Sequence, residues 1–248
     1  MKKQQMRNIL FILLSIVYIN LKAQEKKQSA FTFNYNYQIP TSNLTNTFGD
    51  NSAIGASYFL ETANNLFYGI EGNYMFGDNV KDETLFDNIS TSIGAIIGDD
   101  GHYTNVVLMQ RGFDANIFVG YAFHFKETNL SGIYISQGFG YLQHQIYINT
   151  KNQNIPQLNE EMKKGYDRFS NGFSAKFFAD YKYYSKKGKF QASAGINYTM
   201  AYTKINRIYD FANQQHYSNQ RKWDQLLGFK LQVIIPIQRK NEEVFHYY

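Results

Sequence analysis

The chain has no cysteine, three prolines and a single tryptophan among its 248 residues, and charged side chains make up only 18%. Without cysteine there is neither a disulfide scaffold nor a thiolate metal site. Few prolines and few charges argue against a disordered chain. Past residue 24 no apolar run approaches the roughly 20 residues that a transmembrane helix needs. What is abundant is aromatic: 21 Tyr and 21 Phe bring the aromatic share to 17%. The mean hydropathy is nevertheless −0.45. A sequence that is polar on average and crowded with aromatics needs an architecture that keeps the two apart.

The formal charge of +5 is concentrated at one end. Residues 1–23 have the form of a secretory signal peptide: basic Lys2, Lys3 and Arg7, an apolar run from Ile9 to Ile19, and small Ala23 before Gln24. Removing this segment takes away Lys2, Lys3, Arg7 and Lys22 and no acid, which leaves 21 basic against 20 acidic residues, a charge of +1. Nucleic-acid binding then loses its electrostatic support. With no cysteine after the apolar run, a lipid-anchored lipoprotein is excluded as well. The expected organisation is a signal peptide over 1–23 and one domain over 24–248.

The mature chain alternates with period two, the mark of a strand with two unlike faces. In 223–237 the odd positions read Trp223, Gln225, Leu227, Phe229, Leu231, Val233, Ile235 and Ile237, with Asp224, Gly228, Lys230 and Gln232 on the other face. The stretch 189–203 has the opposite parity, setting Phe190, Ile196, Tyr198 and Tyr202 against Gln191, Ser193, Asn197 and Thr199. Stretches 169–184 and 105–123 repeat the pattern, and shorter runs at 30–37, 53–60, 66–76 and 131–147 bring the expected strands to eight. The connections 38–52, 77–104, 148–168 and 204–222 are long, and those at 61–65, 124–130 and 185–188 are short. Strictly alternating long and short loops are the pattern of transmembrane β-barrels, with extracellular loops and tight periplasmic turns. A soluble sandwich or lipocalin-like barrel would need the face of Gly, Ser, Asn, Thr and charge opposite the aromatics to be either its core or its solvent side. Strands of 15 or more residues also exceed the usual soluble length of about 3–10. Tyr121, Phe123 and Tyr183 at one set of ends, and Tyr202 and Trp223 at the other, suit interfacial aromatic girdles. Pro236 inside the last strand is the one feature against the pattern.

The signal ending in Lys22-Ala23-Gln24, the Tyr/Phe/Asn-rich strands and the aromatic C-terminus (Phe245, Tyr247, Tyr248) make the chain resemble small outer-membrane β-barrel proteins of the Bacteroidota. The resemblance implies an eight-stranded antiparallel transmembrane β-barrel in the bacterial outer membrane, from a family of uncharacterised and secretion-accessory members.

Candidate chemistry is sparse. Asp100-x-His102 in the longest loop could activate water, but no Asp-x-Asp faces it from elsewhere. His216-x-Ser218 lies in a Gln/Asn-rich loop rather than on a strand. The histidines at 102, 124, 144, 216 and 246 have no metal-ligand spacing, and no metal or cofactor is expected. The loop 77–104 carries Asp78, Asp82, Glu83, Asp87, Asp99 and Asp100 against Lys81, and reads as a hydrated acidic face without a twelve-residue Ca²⁺ pattern. Gly138 and Gly140 read as bend points in a narrow barrel.

Lumen parity places Glu71, Asp114, Lys176, Asp180, Lys182 and Lys230 inside, where charges must pair or meet water. A luminal ion-pair network of Glu71, Asp114, Lys176, Asp180 and Lys230 is expected, with Lys230 meeting Glu71 or Asp114. Eight strands leave an interior that side chains largely fill. The sequence therefore suggests a non-catalytic outer-membrane barrel, an envelope or secretion-system component. Its expected partners are lipopolysaccharide and phospholipid, and a protein met through the extracellular loops or periplasmic rim. The alternatives are a lipid- or peptide-hydrolysing barrel enzyme and a narrow small-solute channel.

Overall fold

The computed structural model describes residues 26–126, 129–151, 153–185, 191–217 and 221–237. The signal segment with its cleavage site, Phe190, Ser218 and the aromatic C-terminus lie outside the described residues. The strands in chain order are β1 (Lys26–Ser42), β2 (Asn51–Thr62), β3 (Leu66–Gly77), β4 (Ile96–Ile97), β5 (Tyr103–Thr104), β6 (Val107–Lys126), β7 (Asn129–Asn149), β8 (Ser170–Tyr184), β9 (Gln191–Ile205), β10 (Tyr209–Asp210), β11 (Gln215–His216) and β12 (Arg221–Pro236). Eight of them form a closed antiparallel ring in the order β1-β12-β9-β8-β7-β6-β3-β2. The other four make two small ladders, β4 with β5 and β10 with β11, inside two of the long loops.

Closure leaves no free strand edge, and alternation assigns each residue to the outside or the lumen. Outward Leu231 and Ile117 are 60% and 66% exposed, whereas luminal Lys176 and Asp114 are 1% exposed. A soluble protein would not leave so many large apolar side chains on its surface while burying lysines and carboxylates within. The apolar band therefore faces lipid. Tyr121, Phe123, Tyr181 and Tyr183 edge it on the short-turn side, and Tyr202 packs on Trp223 at 4.9 Å between ring centroids on the long-loop side.

Local chemistry sets the ends. The turn between β2 and β3 places Asn65 at φ 64, a left-handed conformation that asparagine tolerates. β1 runs on through Pro40, which the expected strand 30–37 excluded. Past Gln38 it is bonded to β12 alone, so a missing N–H is tolerated there. Pro236 likewise has Ala30 of β1 as its partner among the described residues, where the β12–β9 ladder ends at Val233.

Candidate functional site

Period two on four strands brings the luminal charges to one level. β3 supplies Glu71, β6 Asp114, β8 Lys176 and Asp180, and β12 Lys230. They form a chain of alternating sign. Lys230 Nζ lies 4.0 Å from Asp180 Oδ2 and 3.1 Å from Glu71 Oε2. Lys176 Nζ lies 3.5 Å from Glu71 Oε1 and 2.5 Å from Asp114 Oδ1. Of the two carboxylates expected for Lys230, Glu71 is the one in contact, and Asp114 is taken by Lys176. Asn73 donates to both Glu71 Oε1 and Asp114 Oδ1 at 3.0 Å, and Asn116 donates to Asp114 Oδ1 at 2.7 Å. A buried carboxylate with several donors recovers the solvation it lost. Gly195 makes the Asp180–Lys230 approach possible. It stands between them in register, and a Cβ there would lie 2.2 Å from Asp180 Oδ1.

Lys182, the sixth of the charges that parity places inside, takes rings as neighbours. Its Nζ is 3.8 Å from the Phe59 ring centroid, 4.1 Å from Tyr134 and 4.9 Å from Phe67. A cation over aromatic faces is attracted by their quadrupoles, the more so when desolvated. Beside these groups is an internal hollow of about 20 Å³, room for about one water.

Two further clusters close the ends of the lumen, and sequence reasoning identified neither. At the periplasmic end Glu61 meets His124 Nε2 at 2.8 Å and accepts from Tyr134 Oη at 2.9 Å. At the extracellular end Asp224 Oδ2 meets His144 Nε2 at 2.9 Å and accepts from Thr203 Oγ1 at 2.5 Å. Parity already placed Asp224 off the apolar face. Its partner lies 80 residues away and depends on barrel shear, which alternation does not report.

Above this lies a folded cap. Leu44 and Phe48 of the first long loop, Leu85 and Ile96 of the second, and Ile155, Leu158 and Tyr166 of the third are buried in one cluster with luminal Leu142, Ile146 and Leu226. The acidic loop is thus not simply a hydrated face: its apolar residues anchor it over the barrel mouth. Part of its charge is spent locally, in the Asp82–Arg168 ion pair at 2.7 Å and the Asp99–Asn154 hydrogen bond at 2.6 Å. In the cap Arg207 donates to both oxygens of Asp167, Nε at 2.8 Å. Burial pushes the Tyr166 phenol up, and burial together with the nearby Asp210 carboxylate pushes up that of Tyr217.

The described members of the loop candidates engage local partners. Asp100 Oδ1 accepts the backbone N–H of His102 at 3.0 Å, which closes a local turn. His216 sits in β11 with its ring edge-on to Tyr209 at 5.1 Å. Among the described residues no three His, Cys, Asp or Glu side chains gather as metal ligands would.

No known protein family and no curated protein matches the sequence. Among solved structures the chain is similar to neisserial surface protein A, at 12% identity over 86% of this chain and 99% of that one, with a TM-score of 0.41. It is also similar to the attachment invasion locus protein of Yersinia pestis, at 7% identity, 86% and 99% coverage and a TM-score of 0.44. The N-terminal β-barrel domain of OprF from Pseudomonas aeruginosa gives 12%, 84%, 99% and 0.35 in the same terms. The fold itself rests on the hydrogen-bonded ring. The chain is an eight-stranded outer-membrane-type β-barrel, its lumen filled by ion pairs and its outer mouth covered by a cap.

Proposed function

We propose that this is a non-catalytic outer-membrane barrel whose work is done by its extracellular cap, as an interaction component of the cell envelope or of a secretion assembly. The observation that carries this reading is the cap itself. Three long loops share one hydrophobic core, with Phe211 and Ala212 of the fourth packed against it, over a lumen that is already full, so the chain has invested its order outside the membrane. Loops without function are usually short or disordered. The cap also carries a hollow of about 460 Å³ whose lining includes Ile89, Met162, Tyr166, Tyr209 and Phe211. A concave surface with large aromatic anchors is the composition that protein interfaces favour. The Tyr/Phe/Asn-rich strands and aromatic C-terminus support a Bacteroidota origin, and the charge pattern of 1–23 supports export with a mature start at Gln24.

Purified protein in planar bilayers should give no steady single-channel conductance, and it should not hydrolyse phospholipid, lipopolysaccharide or peptide substrates. A photo-crosslinker in place of Met162 or Tyr209 should capture a defined envelope partner in whole cells. The same crosslinker in place of Phe125, at the periplasmic end, should not. Conductance would favour the small-solute channel, and turnover the barrel enzyme.

A further inference from the structure

The lipid-facing wall is not uniformly apolar. Outward residues of β3, β6, β7 and β8 form rows fixed by register. One row, just below the Met109–Tyr147 pair, has Phe76, Arg111 and Gln145; the next has Tyr74, Phe113 and Gln143. Below them come Gly72, Ala115, Tyr141 and Phe173, and then Ile70, Ile117 and Phe139. Arg111, Gln143 and Gln145, with Asn171 across from Gln143, thus break the apolar face toward its extracellular border, where lipid headgroups begin.

Arg111 makes no ion pair with any described residue. It is nevertheless held in place. One guanidinium nitrogen donates to the Gln110 carbonyl at 3.0 Å, a second contacts Met109 Sδ at 3.1 Å, and the group lies 5.7 Å from the Tyr147 ring centroid. A guanidinium has five N–H donors in a planar fork, so most of its capacity is unspent. Gln143 uses only its Oε1, accepting from Tyr141 Oη at 3.4 Å. These side chains border a hollow of about 490 Å³ walled by Tyr74, Phe113 and Phe169. Directly below it on the same strands is an apolar furrow of about 750 Å³. The furrow exists because Ala56, Gly72 and Ala115 lie side by side at one level, between larger neighbours such as Tyr58, Ile70 and Phe139.

We propose that this wall holds one phosphorylated glycolipid of the outer leaflet, with its phosphate on Arg111, its sugar hydroxyls on Gln143 and Gln145, and an acyl chain in the furrow over Gly72 and Ala115. The charge is complementary: an unpaired guanidinium matches a phosphate bidentately. Amide side chains offer both donors and acceptors, which suits hydroxyls and has no sugar counterpart in a bare phosphate monoester headgroup. Polar hollow and apolar furrow follow each other along the membrane normal in the order of such a lipid's own parts. The inference rests on the barrel's place in the membrane and not on the proposed role of the cap.

The test is lipid retention by native mass spectrometry after extraction from nanodiscs. The nanodiscs are phosphatidylcholine doped with either a monophosphorylated, acylated glucosamine disaccharide or phosphatidic acid. The wild-type protein should retain one copy of the glycolipid and markedly less phosphatidic acid. Arg111→Met should lower glycolipid retention by about tenfold, the loss expected of a charge-assisted hydrogen-bonded contact. The double variant Gln143→Leu/Gln145→Leu should abolish the preference for the glycolipid over phosphatidic acid. Gly72→Leu should fill the furrow and displace the chain. A Cβ there meets Phe113 at 3.8 Å and the Asp114 carbonyl at 4.0 Å, both ordinary contacts, so the wall has room for the change. Lys81→Gln, which removes an exposed loop cation away from these strands, should retain glycolipid as the wild type does. Circular dichroism and the urea midpoint verify that each variant barrel is folded. Undiminished retention by folded Arg111→Met, or equal retention of the two lipids by the wild type, would overturn the proposal. A cap without a partner would leave all of these outcomes unchanged.

Discussion

Lys230 and Glu71 come from strands far apart in sequence, yet their charged atoms lie 3.1 Å apart and both residues are buried. Removing one member of a buried pair strands the other, which typically costs about 3–5 kcal/mol. Lys230→Met should fall at the lower end, because Glu71 keeps Lys176 at 3.5 Å and the Asn73 amide at 3.0 Å. A double-mutant cycle of Lys230→Met with Glu71→Gln, read by urea unfolding in lipid, should give a coupling of about 1–3 kcal/mol. The cycle of Lys230→Met with Asp114→Asn should give a clearly smaller coupling, since the two are joined only through Glu71, Lys176 and Asn73. Equal coupling in both cycles would mean that the charges share one water-filled space. On the other face, Leu231→Arg should destabilise the barrel by about 2–4 kcal/mol, the cost of a cation near mid-bilayer. No measurable loss in that variant would place residue 231 in the lumen and invert the register of β12. Parity was legible in the sequence because Phe229, Leu231, Val233 and Ile235 leave only one face for lipid. Which carboxylate Lys230 meets was not legible, because strand shear sets the relative heights.

At the scale of elements, wall and cap differ in how they are specified. The eight long strands are readable from alternation; most ends shift by one to three residues, and the largest extension, at the end of β1, runs through Pro40 on a singly bonded stretch. The cap has no period to read. Leu85 and Ile96 are isolated apolar residues in an acidic loop, and nothing local says that they share a core with Phe48 and Leu158. Deleting a buried leucine side chain costs about 2–5 kcal/mol through lost transfer energy and the cavity left behind. Leu85→Ala should therefore open the cap while the ring stays intact. Limited proteolysis within 78–106 should accelerate by more than tenfold, and the urea midpoint followed by strand circular dichroism should stay within error. Loss of strand signal at the same urea concentration as loop cleavage would mean that cap and barrel unfold as one unit.

On the scale of the whole molecule, the middle of the lumen behaves as a rigid, self-neutralising pillar: Glu71, Asp114 and Asp180 balance Lys176, Lys182 and Lys230, all of them buried. Ions in solution screen exposed charges over about 10 Å at 0.1 M and about 3 Å at 1 M, and buried pairs much less. The urea midpoint should accordingly change little between those two salt concentrations, whereas strong salt dependence would place the charges in open water. The ring has a further consequence, for assembly in time. Its seam joins β1 to β12, so that Gln232 Nε2 reaches Thr32 Oγ1, 200 residues away, at 3.3 Å. Until the last strand arrives, β1 presents an unsatisfied edge inside lipid, where no water can serve it. Insertion must then wait for the C-terminal strand, and a chain cut before Arg221 has no partial barrel to settle for. Cells would meet such a fragment as waste in transit rather than as a weakened protein.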